Sequence, residues 1–222
     1  MRTVIFDLDG TLADTSGDLI AAANACFARM GEGDVLTVAT DAGTALRGGR
    51  AMLRLGLVRI GRTHEIDTII DQYYPVLLEA YGAAIDTHTI LYPGAMDAVA
   101  RLSRDGYAVG ICTNKPEGLA ETLMTRLGVR GAFASLVGAD TLSVRKPDAA
   151  PMIEAVRRAG GDPARALLVG DTVTDRETAR AAGVPSVLVT FGPGGEDVAA
   201  LEPEALIGHY DELPGVVQRL IG

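Results

Sequence analysis

Apolar residues follow two rhythms along the chain. Val4, Ile5 and Phe6 form a short unbroken apolar run, and similar runs recur over residues 107–113, 133–138, 166–169 and 185–189. Such runs, rich in β-branched residues and bounded by turn residues, read as buried strands. Between them apolar residues recur at helical spacing over 95–105, 116–127, 147–159, 174–182 and 213–221, with Gly128, Gly160 and Gly183 as stops. Residues 206–208 add a short edge strand. Strands and helices alternating over short links predict a parallel sheet with helices on both faces and right-handed crossovers.

The stretch 14–88 breaks this alternation. A helix opening at Thr15 or Ser16 is predicted to run through Leu19, Ile20, Ala23 and Phe27 to Gly31. A second covers 45–60, with Met52, Leu53 and Leu57 on one side. A third covers 65–81 through Ile66, Ile69, Ile70, Tyr73 and Leu77. No strand signal appears, and the stretch is far too long for a plain loop. The expected organisation is a core over 1–13, an inserted all-helical cap domain over 14–88, and the rest of the α/β core over 89–222.

Composition narrows the picture. A chain of 222 residues suits one large domain, or one domain with a smaller insert. Apolar residues make up 48% and aromatics only 5%, so the core is built from Ala, Val, Leu and Ile, as in layered α/β proteins. A formal net charge of −9 argues against nucleic acid or an anionic membrane as partner. Any anionic substrate must then be held by local cations and backbone N–H groups. Cys26 and Cys112 are too few for a disulfide framework, so a reducing cytoplasm is expected. Asp7 and Asp9 interrupt the N-terminal apolar run, so no signal peptide is expected, and no run reaches the length of a membrane span. A small glycine-rich loop covers 192–195.

Four polar clusters stand where predicted strands end. The first is Asp7-Leu8-Asp9-Gly10-Thr11. If the backbone stays extended, both carboxylates share a face, and two close like charges raise one pKa and invite a cation. Open α/β sheets bind ligands at this end of their strands. The same residues also read as a strand closing in an Asp-Gly turn. The second is Thr113-Asn114-Lys115-Pro116, before a helix N-terminus, where an anion is favoured. Thr113 or Asn114 also reads as a helix cap. The third, Arg145-Lys146-Pro147, puts a cation beside the positive end of a helix, which makes sense with an anion nearby; a solvated lysine is the alternative. The fourth, Gly170-Asp171-Thr172-Val173-Thr174-Asp175, brackets a turn with two carboxylates of the kind that hold Mg²⁺, and Thr174 or Asp175 also reads as a cap.

In order and spacing, these four clusters together resemble the haloacid dehalogenase superfamily along the whole chain, helical cap included. Leu12-Ala13-Asp14-Thr15, Asp18-Leu19, Ala22-Ala23-Asn24 and Tyr92-Pro93-Gly94 look most like its phosphoglycolate phosphatase branch. Ala149 stands where relatives often have a second proline, and Thr172 where serine is commoner. The resemblance implies a Rossmann-like three-layer α/β core and a Mg²⁺-dependent phosphatase. In it Asp7 is the nucleophile and Asp9 the general acid and base. Mg²⁺ is held by Asp7, the Asp9 carbonyl and Asp171, with Asp175 as ligand or outer partner. Thr113, Asn114 and Lys146 hold the phosphoryl oxygens, and Lys146 can pair with Asp7. The cap closes over the site, and the implied partner is a small phosphorylated metabolite such as 2-phosphoglycolate.

Arg47 and Arg50 flank Gly48-Gly49 in the cap and are candidates for gripping a substrate carboxylate; solvated helix-end charges are the alternative. Leu46-Arg47-Gly48-Gly49-Arg50 is loosely similar to the cap motif of β-phosphoglucomutase-type mutases, which keeps a sugar-phosphate mutase as the alternative enzyme. A phospho-accepting receiver domain would be far shorter and lack the cap. A silent phosphate-binding module would not need all of Asp7, Asp9, Lys146 and Asp171. A cofactor-free dehalogenase has no place for Asp9 or a Mg²⁺ site. Monomer and homodimer are both compatible with the sequence.

Overall fold

A computed structural model of the protein describes residues 1–192 and 195–222, so the glycine-rich loop over 192–195 falls partly outside the described residues. The strands are β1 (Thr3–Phe6), β2 (Ala13–Asp14), β3 (Ile90–Leu91), β4 (Ala108–Cys112), β5 (Ser135–Val137), β6 (Ala166–Gly170), β7 (Ser186–Val189) and β8 (Ala205–Ile207). The helices are α1 (Ser16–Arg29), α2 (Val38–Ala45), α3 (Gly49–Arg59), α4 (Ile66–Ala83), α5 (Ala95–Arg104), α6 (Glu117–Arg126), α7 (Ala149–Arg158), α8 (Val173–Ala182) and α9 (Leu213–Ile221). Two compact units result: Met1–Asp14 with Leu91–Gly222, and Thr15–Ile90.

The first unit is an α/β fold on a six-stranded sheet of order β5-β4-β1-β6-β7-β8, with every neighbouring pair parallel. β1 is central, with Phe6 opposite Ile111 on β4 and Val169 on β6. β1, β4, β5, β6 and β7 are buried along their length, which is why they read as continuous apolar runs rather than alternations. The two-residue period still sorts their faces. Ile5, Cys112, Val137 and Leu168 pack with Met152, Ala155 and Val156 of α7 and Ala179 of α8. Phe6 meets Phe133 edge-on and Tyr210 at a tilt, both with centroids 6.5 Å away. β8 is the edge strand and is only partly buried. β2 and β3 form a separate two-stranded sheet.

The second unit is helical. Its interior is made by Leu19, Ile20, Ala23 and Phe27 of α1 with Met52, Leu53 and Leu57 of α3 and Ile70, Leu77 and Tyr81 of α4, all buried. Gly56 lets α3 lie directly on Phe27, since a Cβ there would stand 2.1 Å from the ring. Arg59 grips Asp41 through two bonds of 2.8 and 2.9 Å, tying α3 to α2. The guanidinium holds the Asp41 carboxyl down at about 2.

The single helix expected over 45–60 is instead the end of α2, a break, and α3. Gly48 takes a φ of 95°, left-handed backbone that interrupts any helix through it. Thr15 occupies the cap position of α1, but its side chain makes no capping hydrogen bond. The two-residue strands β2 and β3 are too short to carry a periodic signal. Among the described residues, no helix is long and apolar enough to cross a membrane.

Candidate active site

β1 hands its ladder directly to Asp7, whose N–H donates to Val169 O at 2.8 Å. The chain then turns at once: Leu8 O accepts from the N–H groups of Thr11, Leu12 and Ala13, and Gly10 takes a φ of 79°. The turn, not an extended strand, therefore places Asp9. The N–H of Leu8 donates to Asp7 Oδ1 at 2.7 Å and fixes that carboxylate.

Neighbouring strand ends supply the rest. Lys146, 3% exposed, lies between two acids, with Nζ 3.0 Å from Asp7 Oδ1 and 2.7 Å from Asp175 Oδ1. The second oxygen of Asp175 accepts from the N–H of Asp171, the N–H of Thr172 and the Thr172 hydroxyl, the last at 2.6 Å. Thr172 and Asp175 thus form the capping box that starts α8. Capping and site-building are one arrangement here, and both oxygens of Asp175 are engaged. Gly170 is needed beneath it, because a Cβ there would sit 2.3 Å from the Asp175 Cβ. The Asn114 side-chain amide donates to Lys146 O at 3.0 Å and holds the loop that carries the lysine. The Thr113 hydroxyl oxygen accepts from Lys115 N–H at 3.1 Å, and α6 is capped at Pro116 rather than by Thr113 or Asn114.

Asp171 is 1% exposed. Its Oδ1 accepts from the Thr11 hydroxyl at 2.8 Å, while its buried Oδ2 has no hydrogen-bond partner among the described residues. Carboxylate oxygens of Asp7, Asp171 and Asp175 lie within 4.8 Å of one another. Two of these three buried carboxylates, Asp7 and Asp175, share the one Lys146 ammonium. Burial pushes the Asp7 carboxyl up to about 7 against the pull of Lys146, with Asp175 and Asp9 adding to the rise. Burial, with Asp175 and Asp7 adding to it, drives Asp171 well above the ordinary carboxylate range. For Lys146, burial works against the charge, but Asp175 and Asp7 overcome it and raise its pKa. The cluster carries surplus negative charge and an orphaned oxygen, which suits a divalent cation with oxygen ligands.

Two contacts were not foreseen from sequence. Thr11 orients Asp171, and Lys115 Nζ meets Asp9 Oδ1 at 2.8 Å. Both residues sit inside motifs the sequence displays, but their partners lie on other strand ends. The Tyr210 hydroxyl donates to Thr11 O at 2.7 Å, and the Phe191 ring meets those of Tyr92 and Tyr210 at a tilt, with centroids 5.0 and 5.3 Å away. Arg47 and Arg50 belong to the helical unit, where both are exposed. Arg50 pairs with Asp71 and lies 5.3 Å over the Tyr74 ring.

The sequence model of haloacid dehalogenase-like hydrolases matches residues 1–183. A phosphoglycolate phosphatase of Mesorhizobium japonicum is 39% identical over 98% of this chain and 96% of its own. Another, from Agrobacterium fabrum, is 36% identical over 98% and 93%. Among solved structures, a haloacid dehalogenase-like family hydrolase from Streptococcus pneumoniae superposes with a TM-score of 0.76 at 23% identity, covering 97% of this chain and 98% of that one.

Proposed function

The chain belongs to the haloacid dehalogenase-like hydrolase family, and we propose that it is a Mg²⁺-dependent phosphatase acting on a small phosphate monoester, 2-phosphoglycolate, through an aspartyl-phosphate. The observation that carries this reading is the buried set Asp7, Asp171, Asp175 and Lys146, with Asp171 Oδ2 left without a hydrogen-bond partner among the described residues. The choice of substrate is supported by the relatives named phosphoglycolate phosphatase.

In this reading Asp7, the Asp9 carbonyl and Asp171 hold the cation, and Asp175, whose oxygens are already engaged, fixes Lys146. When bound, Mg²⁺ supplies positive charge that lets the anionic nucleophile and the phosphate dianion approach. The Asp7 carboxylate attacks phosphorus in line, and the bond to the leaving alkoxide breaks. Asp9 donates the proton the alkoxide needs, then takes one from the water that hydrolyses the aspartyl-phosphate. Lys146, the Thr113 hydroxyl and the Asn114 backbone N–H face the phosphoryl oxygens as charge builds on them.

The test is phosphate release from 2-phosphoglycolate, hexose phosphates, nucleoside monophosphates and pyrophosphate, after EDTA treatment and again with Mg²⁺ restored. Release expected from phosphoglycolate alone with Mg²⁺, and from none in EDTA, fits the reading. Full activity in EDTA overturns the metal assignment. Phosphate returned to a sugar rather than to water makes the enzyme a mutase.

A further inference from the structure

Lys115 has no part in the chemistry above, yet it is one of the best buried charges in the α/β unit. We infer that Lys115 is a positioning residue that holds the Asp9 carboxylate where its proton transfers take place. The inference rests on the acid and base role proposed for Asp9.

Lys115 is 6% exposed, and an ammonium so far from water requires a compensating anion. The Asp9 carboxylate supplies it at 2.8 Å. The side chains differ in depth: 4% of the lysine is exposed against 16% of the aspartate. The acid therefore stands on the open side and the ammonium behind it, which suits a support better than a group that itself meets substrate.

The lysine's own backbone is fixed. Its N–H donates to Thr113 Oγ1 at 3.1 Å, its carbonyl accepts from Ala139 N–H at 2.9 Å, and Pro116 follows. Gly138 packs so closely on this turn that a Cβ there would lie 2.4 Å from the Glu117 nitrogen. Asp9 sits on a turn whose backbone is held by a bridge to Ala13 and by the bond from Gly10 N–H to Ala13 O at 2.9 Å. β1 and β4 are parallel neighbours, so the turns that follow them lie side by side and the lysine reaches across. A reacting group displaced by about 1 Å can lose on the order of 10² in rate, so an anchor for this carboxylate has kinetic consequence.

The experiment compares wild type, Lys115→Met, Lys115→Arg, Asp9→Asn and the double variant Asp9→Asn with Lys115→Met. Each is assayed with Mg²⁺ on 2-phosphoglycolate, whose alkoxide needs a proton, and on p-nitrophenyl phosphate, whose leaving group hardly does. Circular dichroism checks the fold, and Lys115→Arg carries the test if the Met variant does not fold. Lys115→Met is expected to lower kcat on phosphoglycolate by roughly 10- to 100-fold with KM little changed. Its kcat/KM on p-nitrophenyl phosphate should fall much less, Lys115→Arg should recover part of the loss, and the double variant should be no slower than Asp9→Asn. A double variant slower by the full Lys115→Met factor overturns the inference, since the lysine then acts independently of Asp9. A higher KM for phosphoglycolate at unchanged kcat also overturns it, making Lys115 a ligand of the substrate carboxylate. If Asp9→Asn itself turns over like wild type, the acid and base role of Asp9 is wrong and the inference falls with it.

Discussion

The hydroxyl of Thr11 donates to Asp171 Oδ1 at 2.8 Å across 160 positions of sequence. One oxygen of the acid is thereby held, and the other is buried with no hydrogen-bond partner among the described residues, in an acid whose carboxylate lies within 4.8 Å of those of Asp7 and Asp175. A metal held by such a group would have its binding coupled to stability. The Asp7 carboxyl is pushed from an ordinary 3.8 to about 7, and Asp171 is raised as well. An acid raised in the native state holds its proton more tightly folded than unfolded. Its contribution to stability is whole below the ordinary carboxyl pKa and is lost as pH climbs through about 7. Bound Mg²⁺ would oppose that loss by compensating the charge. In thermal denaturation, added Mg²⁺ should raise Tm more at pH 8 than at pH 5, and Asp171→Asn should remove most of the difference. An equal Mg²⁺ effect at both pH values would contradict the assignment.

Asp7→Asn should abolish turnover while the far-ultraviolet circular dichroism stays native, because an amide is a poor nucleophile. Steady-state phosphate release near the wild-type rate would exclude an aspartyl-phosphate on this residue.

Gly170→Ala tests the support for Lys146. The added Cβ would press on Asp175, whose Cβ and Cγ lie 2.3 and 2.4 Å from its position. Displacing Asp175 shifts Lys146, which it holds at 2.7 Å. A fall in kcat of roughly tenfold or more is expected, on the scale of a misplaced charged hydrogen bond. Unchanged kinetics would mean the α8 end adapts without moving the lysine.

Gly56→Ala concerns the helical unit. The new methyl would enter the Phe27 ring, whose nearest atoms lie 2.1 and 2.5 Å from its position, and Phe27 is fully buried. Overpacking of this kind costs about 1–3 kcal/mol. Thermal or urea denaturation should show the loss.

For the substrate's carboxylate, Arg47 and Arg50 remain the proposed cations. Arg50 already pairs with Asp71, but that pair is exposed and such pairs are worth only about 0–1 kcal/mol, so it can be given up. Arg47→Ala or Arg50→Ala should raise KM for phosphoglycolate by roughly tenfold and leave p-nitrophenyl phosphate nearly unaffected. Equal losses on both substrates would point to a structural role.

The sequence by itself determined the local architecture. Strand and helix boundaries in the α/β unit came within a few residues, since apolar runs and Gly stops act through neighbours in the chain. The four polar clusters were legible for the same reason, each at the end of its own run. The break at Gly48 was not, because a glycine is compatible with a helix until packing requires left-handed backbone. Tertiary structure alone decided which polar groups meet. The order β5-β4-β1-β6-β7-β8 sets the ends of β4 and β6 on either side of β1. That adjacency pairs Thr11 with Asp171 and Lys115 with Asp9, while the loop that follows β5 brings Lys146 to both Asp7 and Asp175. Local periodicity carries no information about strand order, so a lysine read as one letter of a loop became the buried partner of an acid more than a hundred residues away.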